Sequence, residues 1–458
     1  MEATNEKTIL ERIEAQRRYF ASGETRSISF RKEMLRRFRY AIIENEKKIT
    51  EAVYKDLRKS YQEAYLTEIS LVLGEIDYHI KRLDQWAKPK RVKTPVHLFP
   101  SSSRLMHEPL GVSLIISPWN YPFQLLMLPL VGAISAGCCA MLKPSPYTPT
   151  VAKVMEEMII AAFDEKYVTT VQGGREVNGY LLGQRWDMIF FTGSPALGKI
   201  VMEAASKHLT PVVLELGGKS PCIVDEEAKI SIAARRIAWG KTINAGQTCI
   251  APDYILVHVS LKEKLIEALG LEIRRTFDND PSASKWYPRI VNEEAFKRIT
   301  GYLGDGVVRF GGRSDAGDRY IEPTILDNVD PSSEVMQDEI FGPVLPVLTF
   351  NKIDEAIKFV NEREKPLAFY YFGRSDKAKE VLLRTTSGGA CINDTLMHIT
   401  NHNLPFGGVG NSGMGSYHGK QSFLSFSNAR SIVKTPTWID MPFKYVPFRF
   451  FNFVKKIM

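Results

Sequence analysis

The chain has 458 residues, 44% of them apolar and 24% charged, with a formal net charge of +8. This composition excludes disordered, fibrous and membrane-embedded classes, and the length calls for two main domains, since single cores rarely grow past roughly 250 residues. The mild positive charge suits small anionic ligands and is too weak for a nucleic-acid surface, so no nucleic-acid partner is expected. Five cysteines, with Cys138 and Cys139 adjacent and the others scattered, form neither a disulfide framework nor a metal-ligand spacing. A reducing, cytoplasmic setting and no bound metal are therefore expected. The start, Met1 to Glu11, lacks the basic and apolar runs of a signal peptide.

Up to Trp86 the sequence is charge-rich, and Leu35, Phe38, Ile42 and Ile49 recur at helical spacing, predicting amphipathic helices that lie on a sheet. Arg91 to Glu108 is polar, extended and carries Pro and Ser, and reads as an arm. From Gly111 short β-rich runs alternate with helices: Val112 to Ile116, Phe123 to Ile134, Cys139 to Leu142, Val151 to Phe163, Tyr167 to Val171, Met188 to Phe191, Pro195 to Lys207 and Val212 to Leu216. That alternation predicts βαβ units in a doubly wound parallel sheet. The longest apolar run, Leu125 to Leu142, contains Pro129 and reads as a buried helix followed by a strand. A second α/β domain is predicted from the helix at Ile230 to Ala238, then Tyr254 to Val259, Val344 to Phe350, Ile353 to Glu364, Ala368 to Phe372 and Ala390 to Asn393. The last segment, Ser422 to Val433, is read as pairing either with the arm or with another subunit.

Chemistry-bearing residues cluster at the ends of these elements. Cys249, in Asn244-Ala245-Gly246-Gln247-Thr248-Cys249, follows a helix and a glycine break. An isolated cysteine is more often a buried small hydrophobe, and a nucleophile needs surroundings that yield its thiolate. Glu215 ends an apolar strand where the chain turns on Gly217 and Gly218; a carboxyl there, raised by partial burial, suits a base that activates water, although capping the next turn explains it too. Asn120, in Ser117-Pro118-Trp119-Asn120-Tyr121-Pro122, stands where a side-chain amide can donate to an oxyanion, or serves turn geometry alone. The ordinary G-x-G-x-x-G fingerprint is missing after the first strand. Instead Thr192, Gly193 and Ser194 lead into a helix with Pro195 at its first position, and Lys143 follows another strand; such a helix start can face a pyrophosphate. Glu339, in Glu339-Ile340-Phe341-Gly342-Pro343, offers a carboxylate to ribose hydroxyls. Leu404 to Gly415 is too glycine-rich for regular structure and reads as a packed loop.

Together, and in this order, these motifs resemble the aldehyde dehydrogenase superfamily over nearly the whole chain. The short N-terminal helices, Gly246-Gln247-Thr248-Cys249 and the loop from Pro405 to Gly415 are most similar to its class 3 branch of fatty and aromatic aldehyde dehydrogenases. The resemblance implies a doubly wound cofactor domain (1–90 and 109–215), a catalytic α/β domain (216–410), a small oligomerisation arm (91–108 and 411–440) and a basic aromatic tail (441–458). It implies that Cys249 attacks an aldehyde, that Asn120 and a backbone N–H hold the oxyanion, and that NAD or NADP takes the hydride. Glu215 then activates the water that hydrolyses the thioester. Glu339 and Phe341 position the nicotinamide end of the cofactor, with Glu339 a second candidate for the base, and Lys143, Thr192, Gly193 and Ser194 lie along the dinucleotide.

Where relatives in this branch carry Lys-Pro-Ser-Glu, this chain has Pro146. The acidic group that would repel a 2′-phosphate is gone, so both cofactors are expected to be accepted. Trp119, Tyr121 and Trp239 adjoin the site residues in sequence and favour medium- or long-chain aliphatic or aromatic aldehydes, although core packing accounts for them equally well. A homodimer is expected. The tail, with six aromatic residues from Phe443 onward and Lys444, Arg449, Lys455 and Lys456, suits docking on another subunit better than peripheral attachment to an anionic membrane. Two rival chemistries are transfer of the thioester to coenzyme A and a cofactor-free cysteine esterase. The context of Glu215 argues against the first and the lack of a histidine in these motifs against the second.

Overall fold

The computed structural model describes residues 3–448 and 450–457; Met1 and Glu2 of the expected start, and Arg449 and Met458 of the expected tail, lie outside the described residues. Helices Glu6–Ala21, Ile28–Leu57 and Ser70–Ala87 form the N-terminal layer. The long middle helix opens at Ser27, whose hydroxyl accepts from the Phe30 N–H, and stops where Arg58 turns left-handed (φ +59°). Its inner stripe of Leu35, Phe38, Ile42 and Ile49 is fully buried, so the helical spacing read from the sequence marks the face that packs.

The first sheet carries five parallel strands in the order Val212–Leu216, Met188–Gly193, Val112–Ile116, Cys139–Lys143 and Val168–Thr170. The chain winds outward from Val112–Ile116 on one side, then returns to build the other. The winding therefore reverses between Val112–Ile116 and Met188–Gly193, and open α/β sheets bind ligands at the carboxyl ends beside such a reversal. The helix Gln124–Ala136 that follows Val112–Ile116 is buried on every side and contains Pro129. Among the described residues no helix is long and apolar enough to cross a membrane.

The second sheet has seven strands in the order Val307–Phe310, Thr324–Asp327, Val344–Phe350, Tyr254–His258, Pro221–Val224, Ala368–Phe372 and Gly389–Ile392. All neighbours run parallel except the Val307–Phe310 edge. Pro221–Val224 has too few residues to show a period and was not read from the sequence. The chain is thus α/β with a doubly wound parallel sheet and a second α/β unit.

A third, antiparallel sheet joins Lys90–Val92, Ser102–Pro109 and Ser427–Lys434, so the expected arm pairs with the late segment within one chain. Residues 411–426, expected in the arm, lie elsewhere. Gly413–Met414 pairs antiparallel with Glu215 and Leu214 at the edge of the first sheet, and Lys420–Ser425 is a short helix with Ser422 and Phe423 buried. The late loop is therefore not wholly irregular. Gly413, at φ +150°, lets the backbone approach Leu214 where a Cβ would overlap its carbonyl oxygen.

Candidate active site

The carboxyl ends of the first sheet and the amino ends of the second face one cavity. Asn120, Lys143, Thr192, Gly193, Ser194 and Glu215 follow or end strands of the first; Cys249, Glu339 and Phe341 precede Tyr254–His258 and Val344–Phe350 of the second. All nine expected site residues line this cavity of about 2010 Å³. A drug-sized pocket is roughly 300–1,000 Å³, so there is room for a dinucleotide and a second molecule together.

Cys249 is held on a strained loop. Asn244, Ala245 and Gly246 are successively left-handed at φ +51°, +51° and +73°, a conformation that costs roughly 1–2 kcal/mol for an L-residue such as Ala245. The fully buried Gln247 side chain holds the loop in place. Its amide nitrogen donates to Asn244 O (3.0 Å) and Arg289 O (3.1 Å), and its amide oxygen accepts from Val291 N (3.0 Å). The loop is tied to the first sheet as well: Asn120 Nδ2 donates to Gln247 O (3.0 Å), Asn244 Nδ2 donates to Asn120 O (2.8 Å), and the hydroxyls of Tyr121 and Thr248 meet at 2.7 Å. One N–H of Asn120 Nδ2 is used in this way, and the second is left for a ligand.

Two carboxyls flank the thiol. Glu215 is buried, and neither of its oxygens has a hydrogen-bond partner, so burial alone pushes its pKa well above the usual carboxylate range. Glu339 is also pushed up, first by burial and then by Asp253, against the opposing Gly218 N–H, Lys219 and Lys241. Its position depends on a glycine, because a Cβ at Gly217 would overlap the Glu339 carboxylate. Lys219 Nζ anchors the segment before Glu339, donating to Asp253 Oδ2, Val335 O (2.7 Å) and Asp338 O (2.8 Å), while Ile340 N donates to Asp253 Oδ1 (3.0 Å). Burial, then Glu339 and Glu215, raise the Cys249 thiol far above its ordinary pKa.

Beyond the thiol, the cavity runs along the reversal of the first sheet. The buried Thr192 hydroxyl has no partner there, and Ser194 caps the helix Pro195–Ser206, its Oγ accepting from Leu197 N. A Cβ at Gly198 would meet Leu216 at 2.6 Å, so that helix packs tightly on the strand and turns its amino end to the cavity. Lys143 is buried with Nζ on Pro144 O (2.8 Å), and burial lowers its pKa to about 8. An unsatisfied hydroxyl, a helix start and a cation along one wall fit a dinucleotide phosphate chain. Phe341, left-handed at φ +49°, packs edge-on against Trp119 at 5.3 Å. Trp119, Tyr121 and Trp239 all line the cavity.

Sequence reading missed the groups that hold this site: Gln247, the Lys219–Asp253 pair, and Lys59, Glu63 and Glu68 from the N-terminal layer. No local signal marks Lys59: the left-handed turn at Arg58 shows only in the structure, and the partners of Lys59, Glu68 and Asn120, lie 9 and 61 residues away.

The aldehyde dehydrogenase family model matches residues 1–432. The 4,4′-diaponeurosporen-aldehyde dehydrogenase of Staphylococcus aureus is 48% identical over 94% of this chain and 95% of its own. The "aldehyde dehydrogenase, dimeric NADP-preferring" of Canis lupus familiaris is 45% identical over 95% of this chain and 96% of its own. The solved substrate-bound state of Staphylococcus aureus AldH superposes with a TM-score of 0.95 at 46% identity, covering 98% of this chain and 99% of that one. The chain belongs to the aldehyde dehydrogenase family, with class 3 relatives, and oxidises an aldehyde to the carboxylic acid with NAD or NADP.

Proposed function

We propose that Cys249 is the nucleophile, Asn120 the oxyanion donor and Glu215 the base of deacylation. A thiol raised by burial and by two carboxylates is protonated at rest, so its proton must leave as sulfur bonds to the carbonyl carbon. The neighbouring Glu339 carboxylate is placed to take it, which keeps Glu215 ionised for the later step. The free N–H of Asn120 Nδ2 and the Cys249 backbone N–H donate to the oxygen that becomes charged. The nicotinamide dinucleotide, when bound, accepts the hydride released from the substrate carbon. Glu215 then removes a proton from the water that attacks the thioester, and the departing thiolate recovers a proton. A carboxyl with no internal partner and a raised pKa suits that task. Lys143, Thr192, Gly193 and Ser194 would hold the phosphates, and Glu339 and Phe341 the nicotinamide ribose and ring.

The apolar lining with Trp119, Tyr121 and Trp239 supports medium- or long-chain aliphatic or aromatic aldehydes as substrates. The dinucleotide domain comprises 1–90 and 109–215 joined by 411–426, the catalytic domain 216–410, and the arm 91–108 with 427–440, followed by the tail from 441. A relative described as dimeric supports a homodimer, and five free cysteines support a reducing, cytoplasmic setting. Pro146 leaves both cofactors acceptable.

The single observation that carries this reading is the convergence of the thiol, the amide, the buried Glu215 carboxyl and the half-buried Glu339 carboxyl on one cavity. Cofactor reduction with a panel of aldehydes tests it. Cys249→Ala abolishes reduction, and Glu215→Gln gives a burst of one equivalent followed by slow turnover. Undiminished reduction by the first variant, or slow reduction without a burst in the second, contradicts the assignment.

A further inference from the structure

The segment Lys59–Ile69 belongs to the N-terminal layer, yet its charged side chains reach the two chain segments that make up the oxyanion site. Lys59 and Glu68 are fully buried and paired at 2.8 Å. Lys59 Nζ also donates to Asn120 O (3.0 Å) and lies 4.0 Å over the Tyr121 ring. The other oxygen of Glu68 accepts from the N–H groups of Phe123 (2.9 Å) and Gln124 (3.2 Å), donors that the helix start after Asn120 leaves without internal partners. Glu63 Oε1 accepts from Asn244 N (2.8 Å), the first left-handed residue of the nucleophile loop.

The local backbone makes this reach attainable. In an ordinary helix of 3.6 residues per turn, residues five apart point roughly 140° away from each other. Tyr65–Ile69 is instead a π-turn, closed by Ser70 N–H donating to Tyr65 O, a departure often found at functional sites. Glu63 precedes the wide turn and Glu68 sits within it, and both serve the same site. A buried ion pair stabilises little by itself, because desolvating two charges offsets their attraction. What this pair does is fix a backbone: Asn120 O is held by Lys59 from one side and by Asn244 from the other.

We infer that Lys59, set by Glu68, is a positioning residue that aims the Asn120 amide at the developing oxyanion. This rests on the oxyanion role assigned to Asn120 above. Lys59 touches no reacting atom; its effect passes through the Asn120 peptide. Loss of Lys59 should therefore matter only while Asn120 is present.

A double-mutant cycle tests this on the full chain with hexanal as substrate, reading pre-steady-state formation of reduced cofactor. Asn120→Ala should slow that step about 10²–10³-fold, the usual cost of losing one oxyanion donor. Lys59→Met should slow it about 10–100-fold with KM changed less than kcat, and the double variant should be no more than about threefold slower than Asn120→Ala. Alkylation of Cys249 by iodoacetamide should stay within about threefold of wild type in Lys59→Met. If Lys59→Met fails to fold, Glu68→Gln, which keeps the shape and weakens the pair, takes its place in the same cycle. The inference is overturned by unchanged acylation in the single variant, by multiplicative losses in the double variant, or by an equal loss of alkylation. An Asn120→Ala enzyme with normal acylation would instead remove the role of Asn120 itself.

Discussion

In the proposed mechanism, burial gives the base Glu215 its pH dependence. The folded pKa is raised and a base acts in its ionised form, so if Glu215 is that base, turnover in the deacylation-limited regime should fall as pH drops through a value above the ordinary carboxylate range. A kcat–pH profile checks this: the acidic limb should disappear in Glu215→Gln, and its survival would move the limb to another group. Gly217 makes a second prediction at this scale. Any Cβ there displaces the Glu339 carboxylate, so Gly217→Ala should weaken cofactor binding in a fluorescence titration by about tenfold, roughly 1.4 kcal/mol. The placement of Cys249, Glu215 and Asn120 at the cavity was legible in sequence because each sits in a short run whose turn residues and apolar strand announce an edge. Lys59 and Glu68 were not, because charges in a polar stretch of helix and loop are ordinarily solvated, and only the tertiary contact shows these two buried.

At the scale of elements, the loop that carries Cys249 is the strained part and Gln247 its fastening. Replacing Gln247 by Ala leaves the Val291 N–H and the Arg289 carbonyl without their partners, while Asn244 O keeps the backbone N–H of residue 247. One unsatisfied buried group costs about 1–3 kcal/mol, so urea unfolding should show a loss of about 2–3 kcal/mol together with a drop in kcat. A loss in kcat with unchanged stability would mean that the loop is held by other contacts. The strands of the first sheet were read from the sequence almost residue for residue, since buried parallel strands are dense in β-branched and aromatic residues. The short strands Pro221–Val224 and Gly413–Met414 escaped, because pairing with neighbours, and not their own composition, makes them strands. The same applies to the boundary of the arm: nothing in 411–426 marks its return to the first sheet.

For the whole molecule, the decisive feature is that two sheets present opposite ends to one cavity, so that in the proposed assignment a dinucleotide held by one and the thiol held by the other would meet in a fixed geometry. The two α/β units were legible as alternation along the chain; their mutual placement was not, because it depends on contacts between segments more than a hundred residues apart. Cofactor choice is set at this scale as well. With Pro146 in place of an acidic residue, the kcat/KM ratio for NAD over NADP should stay below about a thousandfold, roughly 4 kcal/mol, and steady-state kinetics with both cofactors decide it. The most direct test of the central assignment is mass spectrometry of Glu215→Gln quenched during turnover with hexanal and NADP. The account predicts an acyl group on the peptide that carries Cys249, formed in step with one equivalent of reduced cofactor. Reduced cofactor without that adduct, or an adduct on another residue, would contradict it.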